Sequence, residues 1–156
     1  MLRDAEIKDL DMLVSLFITE NEHNSELAPD VVRKTEDVLN RTELQGILSD
    51  ESQVLIVSEH DGKVVGALLG SLNKVKERRW AQSRIYGYIE ELIVSNEARK
   101  LGIATGLVSH FSNWASALGA SSVDLHVWSN NTVAIGFYSS VGFQSKLNLF
   151  SKKLNS

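Results

Sequence analysis

The segment that joins an apolar, β-branched stretch to an apolar helical stretch carries the first pattern able to do chemistry. It reads Asn-Glu-Ala-Arg-Lys-Leu-Gly-Ile-Ala-Thr-Gly over residues 96–106. A helix that begins here presents free backbone N–H groups and a positive dipole end, and both favour an anion. Gly102 and Ala104 are small enough for a diphosphate to approach the backbone, and Arg99 and Lys100 add positive charge. The segment therefore predicts an anion site.

The spacing of the small residues disfavours two common phosphate-binding motifs. A P-loop ends in Gly-Lys-Ser/Thr, and the dinucleotide fingerprint reads Gly-x-Gly-x-x-Gly. Neither is present, because Gly102, Ala104 and Gly106 follow one another at steps of two. ATP and NAD are therefore disfavoured as the anion. On this segment alone, a helix start that uses small residues for packing stays open as an alternative.

A second constellation lies downstream, in residues 125–143. An apolar stretch leads to Asn131, followed by Ala134, Tyr138 and then a Gly-Phe pair. A phenol has a pKa of ~10, so Tyr138 is protonated at neutral pH and is a candidate general acid. A half-buried packing ring is the alternative for Tyr138. Asn131 can cap a helix, bind a ligand amide, or do both.

Hydrophobic periodicity and turn residues predict the elements that position these segments. Predicted strands are 2–5, 54–57, 64–72, 85–94, 123–127 and one or two after Phe143. The second and third are predicted to form a hairpin whose turn centres on Asp61-Gly62. Predicted helices are 9–21, a stretch after Pro29 with Val31, Val32, Val38 and Leu39 inward, a short one near 44–48, 103–118, and one between Thr132 and Gly142. This order predicts a mixed α/β (α+β) domain over residues 1–156 with a largely antiparallel sheet.

Composition restricts the class of protein further. The 156 residues include no cysteine, which excludes disulfides and thiolate metal sites, and the net charge of -4 argues against nucleic acid as a partner. No apolar run approaches the ~20 residues of a membrane span, and the first residues do not resemble a signal segment. We therefore expect a cytoplasmic protein with no membrane partner.

The two constellations together resemble a known family. Arg99-x-x-Gly102-x-Ala104 resembles the Arg/Gln-x-x-Gly-x-Gly/Ala loop of the GCN5-related N-acetyltransferases (GNATs), and Asn131 with Ala134 and Tyr138 resembles their second hallmark. The resemblance covers residues 54–143. It implies an N-acetyltransferase that uses acetyl-CoA and no metal. It also implies a six- or seven-stranded sheet in which one pair of parallel strands splays apart around the cofactor.

The resemblance also implies roles for individual residues. Tyr138 would donate a proton to the leaving thiolate, and Glu90 would accept the amine's proton directly or through water. Two alternatives stay open: Glu91 is the base, or Glu90 only holds the cationic acceptor. Alternation places Glu90 on the same face as Leu92 and Val94, with Glu91 opposite unless a bulge shifts the phase. The residues expected to bind the cofactor are Leu92, Ile93, Val94, Arg99, Lys100, Leu101, Gly102, Ile103, Ala104, Thr105 and Asn131.

The acceptor is less well defined by the sequence. The acidic segment 20–26 suits a polyamine or an aminosugar, whereas the basic loop around Arg78 and Arg79 suits an anionic amino acid or peptide. A small-molecule amine is the expected acceptor, and a protein or peptide acetyltransferase is the alternative. A non-catalytic acyl-CoA sensor is a further alternative. Members of this family often form a homodimer contact at the C-terminal edge, but only thirteen residues follow Phe143, so a homodimer stays open here. A histidine on an inner strand, such as His126, is expected to be structural.

Overall fold

A computed structural model describes residues 1–155, which divide into a unit of residues 1–126 and a unit that begins at Val127. The first unit contains β1 (Leu2–Asp4), α1 (Leu10–Leu27), α2 (Arg41–Ser49), β2 (Gln53–His60), β3 (Lys63–Val75), β4 (Arg84–Val94), α3 (Ile103–Ala117) and β5 (Ser122–Asp124). The second contains α4 (Thr132–Ser140). Within the described chain, no helix combines the length and apolarity needed to cross a bilayer.

The sheet has the order β1-β2-β3-β4-β5. The first four strands are antiparallel neighbours, and β4 pairs with β5 in parallel. The β2–β3 hairpin turns at Asp61 and Gly62, whose φ values of 52° and 76° suit the Asp-Gly turn predicted there. The mixed α/β class and the parallel pair are therefore confirmed, and residues 1–155 contain five strands rather than the six or seven expected.

Helices cover both faces of this sheet. Leu13 and Leu16 of α1 and Leu44 of α2 form one buried cluster with side chains that include Val57 and Ile93. Side chains of α3 pack on the opposite face, where Ile103, Leu107 and Phe111 lie against glycines of β3 and β4. Protein interiors are closely packed, so these glycines leave the room that the side chains of α3 need on this face of the sheet.

Replacing Gly70 with alanine is expected to destabilise the fold by about 2–4 kcal/mol, through overpacking against a rigid ring. A Cβ at Gly70 would lie 2.8 Å from Cδ1 of Phe111 and closer still to its Cε1 and Cζ, and that ring is fully buried. Gly46→Ala is the matched control, because a Cβ there has no neighbour within 4 Å and Gly46 lies inside a helix. The control should gain ~0.5–1 kcal/mol. Urea unfolding of both variants checks this, and equal effects would contradict the packing account.

The helix predicted after Pro29 is wrong. Residues 32–40 have no helix or strand, and Val31 is exposed. Asn21 of α1 holds this segment, because its side-chain amide donates to the Arg33 carbonyl and its oxygen accepts from the Thr35 N–H. These bonds occupy backbone groups that a helix after Pro29 would use for its own hydrogen bonds. The preceding helix, α1, is longer than predicted and ends at Leu27 rather than at Asn21.

The strands predicted after Phe143 are also wrong. Residues 143–155 have no strand, and Leu147, Leu149 and Phe150 are each more than nine-tenths exposed. Their loose alternation is a strand pattern, but a strand forms only where a neighbouring strand completes its hydrogen bonds. The fifth strand is also shorter than predicted, because it ends at Asp124 rather than at Val127. Its parallel pairing with β4 therefore covers only Ser122–Asp124.

Candidate active site

The parallel pair β4–β5 separates part of the way along β4. Its register runs through Tyr86↔Ser122 and Gly87↔Val123 and ends at Tyr88↔Asp124. β4 continues to Val94, so within residues 1–126 one edge of its last part has no ladder partner. This open edge is where the resemblance places the pantetheine arm.

The backbone groups at the open edge belong to alternate residues. The Ser95 N–H donates to the Val65 carbonyl (2.8 Å), and the Ile93 carbonyl lies against Gly66, so both residues direct their backbone toward β3. Backbone groups alternate between the two edges of a strand, and those of Leu92 and Val94 therefore face the open edge. The main chain of Ile93 is used by β3, and its side chain is buried in the core.

The loop before α3 leaves the start of that helix uncapped. Lys100 and Gly102 adopt left-handed φ values of 67° and 76°, and no side chain caps Gly102 at the N-cap position. The Gly106 N–H makes the first helical bond, to the Gly102 carbonyl, so the amides of residues 103–105 precede the intrahelical ladder. By contrast, Asn40 caps α2. The uncapped turn is a place where backbone donors and the helix dipole favour an anion.

The space and charge around this turn also suit a diphosphate. A Cβ at Gly102 would meet no atom within 4 Å, so the backbone there is open to a ligand. Arg99, Lys100, Leu101 and Thr105 are exposed, and Ala104 is half-buried. Ile103 is buried and can offer only its main chain. The predicted loop residues thus come together at one helix end, where they offer open backbone and positive charge to an anion.

A β-bulge in β4 decides the direction of its two glutamates and corrects the prediction for Glu90. Leu69 pairs with Glu91 but Gly70 pairs with Ile89, so Glu90 is the extra residue. Leu69 packs on the α1-side core, and Glu91 opposite it therefore faces α1 as well. The Glu90 carboxylate accepts a hydrogen bond from Ser71 (3.2 Å), which faces away from α3. Val94 pairs with Gly66, which lies against Ile103 of α3, so Glu91 lies opposite Leu92 and Val94 as predicted. The prediction that Glu90 shares the face of Leu92 and Val94 is wrong, because the bulge shifts the phase at Glu90.

Glu91 lies in an environment that favours its neutral form. Burial and, to a smaller extent, the negative charges of Glu20 and Glu90 together raise its pKa to about 7. The pKa of Glu20 on α1 is also raised, mainly by burial, although His23 and Arg99 oppose the shift. A carboxyl group with a pKa near 7 is suited to exchange a proton at neutral pH.

Side-chain hydrogen bonds connect β4 to β5 and to the residues that directly follow β5. Arg84 donates to Asp124 at 2.7 Å and to Ser122 at 3.2 Å. The Tyr88 hydroxyl is hydrogen-bonded to Nδ1 of His126 at 2.5 Å. Desolvation and the nearby Glu90 raise the pKa of Tyr88, so its phenol stays protonated. The bond to Tyr88 agrees with the structural role expected of His126, which lies just after β5.

In the second unit, the two predicted residues lie on or next to α4. Asn131 is the N-cap, and its side-chain oxygen accepts from the Ala134 N–H (3.2 Å), as the capping prediction requires. Tyr138 lies on the helix with its ring against those of Phe137 and Phe143, at centroid distances of 5.3 and 5.4 Å. These edge contacts fix the ring plane of Tyr138.

The sequence interpretation did not single out Glu20, and it left Glu91 only as an alternative to Glu90. A signal for Glu20 was present, because it follows Leu13, Leu16 and Phe17 at the spacing of one helix face. A carboxylate that continues an apolar stripe is directed toward the sheet. Nothing in the alternation of β4 marks the bulge.

The structure has both features that the resemblance predicts, an uncapped helix end and a parallel strand pair that separates. A family model described as "Acetyltransferase (GNAT) family" matches residues 13–143 and spans both units. The chain belongs to this family, and the resemblance drawn from its motifs is confirmed.

Curated relatives agree with this membership. The chain is 35% identical over 82 residues to GCN5-related N-acetyltransferase 6, chloroplastic, of Arabidopsis thaliana, a match covering 53% of this chain and 26% of the relative. It is 33% identical over 91 residues to an uncharacterized N-acetyltransferase of Methanocaldococcus jannaschii, a match covering 58% and 52%. The matches thus span about a quarter and about half of these relatives' lengths.

Solved structures share the fold at low identity. A mutant of the BH1408 protein from Bacillus halodurans superposes with a TM-score of 0.95 at 22% identity, over 99% of both chains. An aminoglycoside N-acetyltransferase in complex with CoA superposes with a TM-score of 0.72 at 15% identity, over 100% of both chains. At this identity the likeness concerns the fold.

Proposed function

We propose that this protein transfers the acetyl group of acetyl-CoA to the primary amine of a small molecule. The observation that carries the proposal is the uncapped first turn of α3 next to a strand whose edge is open. One element offers free amides and positive charge to a diphosphate. The other offers backbone groups to a pantetheine arm, in the manner of an added strand.

Acetyl-CoA would be held through its two polar regions. The diphosphate lies against the amides of residues 103–105, with Arg99 and Lys100 beside it, and Gly102 leaves room for it. The backbone of Leu92 and Val94 pairs with the pantetheine amides, and Asn131 adds a side-chain contact. Family membership supports these assignments, and the geometry of each segment is compatible with them.

The reaction needs one proton acceptor and one proton donor. An ammonium acceptor first loses a proton to a base, and the neutral nitrogen then attacks the thioester carbonyl. The C–S bond breaks, and Tyr138 gives its phenolic proton to the thiolate sulfur. The second proton that the nitrogen loses then restores the phenol, directly or through water. The net products are the amide, coenzyme A and one proton released to solvent. Rings on both sides of Tyr138 support this role, because they hold the phenol in one orientation.

The base is a carboxyl group at the bulge of β4. The sequence favoured Glu90, which is exposed and hydrogen-bonded to Ser71. Glu91 has the better-matched chemistry, because its partly buried carboxyl has a pKa of about 7. We therefore assign proton acceptance to Glu91, directly or through water. Glu90 remains the alternative base and, in this assignment, holds the cationic acceptor.

Glu91→Gln is expected to lower kcat/KM at pH 7.5 by ~10²-fold or more and to remove the acidic limb of the pH profile. Glu90→Gln is the matched variant and should mainly raise KM. The reverse ranking would return the role of base to Glu90.

The same substitution should stabilise the protein in a pH-dependent way. Folded Glu91 holds its proton more tightly than unfolded Glu91 does, so the free energy of unfolding falls as pH rises from about 4.5 to about 7. Glu91→Gln should therefore raise the melting temperature more at pH 8 than at pH 4.5, with a gain of up to roughly 3 kcal/mol at the higher pH. An equal gain at both pH values would contradict the raised pKa.

A cationic small amine suits the described surface best. Glu20, Glu90 and Glu91 bring negative charge to one side of β4, and Tyr88 adds a phenol near them. The neighbour of the same fold is named as an aminoglycoside N-acetyltransferase, which supports an aminosugar-like or polyamine acceptor here. A panel of aminosugars, polyamines, amino acids and peptides, incubated with acetyl-CoA and a thiol reagent, tests the assignment.

The panel also separates the competing functions. Thiol release only with peptides or protein N-termini would favour the protein acetyltransferase, and coenzyme A binding without turnover on any amine would favour an acyl-CoA sensor. The proton donor and acceptor proposed above favour the enzyme, since a sensor needs neither. A single domain over residues 1–156, a cytoplasmic location and a homodimer stay predictions.

A further inference from the structure

Glu20 occupies an unusual position for a charged side chain. Leu13 and Leu16 are buried against the sheet, Phe17 packs on the same cluster, and Glu20 follows at the spacing of one helix face. The apolar stripe of α1 therefore continues into a half-buried carboxylate. Apart from a long 3.4 Å hydrogen bond donated by Asn24, no described polar side chain compensates it by hydrogen bonding.

Glu91 approaches the same interface from the sheet. It pairs with Leu69 across the strands, and Leu69 packs on the core that α1 covers. The bulge at Glu90 is what turns Glu91 toward α1. Among the described residues, neither Glu20 nor Glu91 forms an ion pair.

The charges around the two carboxyl groups are unequal. Those that act on Glu91 are both negative, Glu20 from α1 and Glu90 from β4 itself. Positive charge acts on Glu20 alone, from His23 and Arg99. Glu20 is therefore the easier of the two to ionise, and once charged it opposes ionisation of Glu91.

We propose that Glu20 and Glu91 form a carboxyl pair that holds one proton between them, and that Glu20 is the positioning residue that sets the pH at which Glu91 accepts a proton. The inference rests on the proposed function, since it concerns the base of that reaction. Two like charges in a partly desolvated interface do not both ionise readily, so the pair titrates as a unit. The charge of Glu20 contributes to the raised pKa of Glu91, which agrees with this, whereas burial raises the pKa of Glu20.

The pair gives the acceptor site a defined proton balance. With one proton bound to the pair, the ionised carboxylate attracts the ammonium of the acceptor. The positive charge of the ammonium then favours loss of the shared proton to solvent. The ionised Glu91 then takes the proton that the ammonium must lose before it attacks, and later returns it to water. When both groups are protonated at lower pH, neither attraction nor proton transfer is available.

Side-chain carboxyl titration by ¹³C NMR of the full chain, without any substrate, tests the pair. The Glu91 resonance is identified by its loss in Glu91→Gln. In Glu20→Gln we expect its midpoint to fall by about one unit or more, because the opposing charge is gone. Glu22→Gln is the matched control, since it removes the same charge from an exposed position of the same helix. It should move the midpoint far less.

Two results would overturn the proposal. One is an ordinary midpoint for Glu91 in the unchanged protein, and the other is an equal shift in Glu20→Gln and Glu22→Gln. The acidic limb of kcat/KM should move in the same direction as the NMR midpoint. Because the titration needs no acceptor, a protein that fails to acetylate any amine but still shows the coupling would contradict the proposed function and leave the carboxyl pair intact.

Discussion

Ala104→Glu is expected to abolish measurable coenzyme A binding. Ala104 lies in the first turn of α3, half-buried beside the uncapped amides and the open space at Gly102. A glutamate there would fill the approach to the backbone. Its carboxylate would also compete for the free N–H groups and repel the diphosphate that they are proposed to bind. Isothermal titration calorimetry with coenzyme A measures the loss.

The substitution should not unfold the protein, which makes the result interpretable. An acidic residue in the first turn of a helix is favourable for the helix dipole, so the melting temperature should stay the same or rise slightly. Ala117→Glu is the matched control, because it places the same side chain at an exposed position at the other end of α3. Retained affinity in Ala104→Glu, or an equal loss in Ala117→Glu, would count against the anion site.

Tyr138→Phe is expected to lower kcat by a factor within ~10²–10⁴, the usual contribution of a positioned general acid. Phenylalanine keeps the ring contacts with Phe137 and Phe143 and removes only the hydroxyl. The free thiolate would then leave without a proton donor at the sulfur. Steady-state kinetics with the best amine of the panel measures the effect.

Two measurements distinguish loss of the acid from loss of structure. Coenzyme A affinity and melting temperature should stay close to those of the unchanged protein, because the phenol does not contribute to the diphosphate site. Turnover that is unchanged in Tyr138→Phe would refute the assignment of Tyr138. A fall in kcat together with a loss of coenzyme A affinity would indicate a binding role instead.

The parts of the fold that sequence could predict are those set by local signals. The Asp-Gly turn, the apolar stripe of α3 and the Asn131 cap each depend on residues close together in the chain, and each is found where it was predicted. The loop motif from Arg99 to Ala104 was recognised for the same reason. A short pattern of small and basic residues is enough to specify an open helix end.

The parts that could not be predicted depend on distant partners. The chain after Pro29 is held by the side chain of Asn21, so its apolar spacing does not produce a helix. The bulge at Glu90 lies where β3 meets β4 and where the Phe111 ring covers Gly70. Two adjacent glutamates carry no alternation that could have revealed it. As a result, sequence reasoning chose Glu90, whereas the structure directs attention to the more buried Glu91.

A crystal structure of the complex with coenzyme A tests the central claim most directly. The expected result is a diphosphate within hydrogen-bond distance of the amides of residues 103–105, with the pantetheine chain running along the edge of β4 at Leu92 and Val94. A nucleotide tail bound elsewhere, with the first turn of α3 left to solvent, would contradict the account of how this protein holds its acetyl donor.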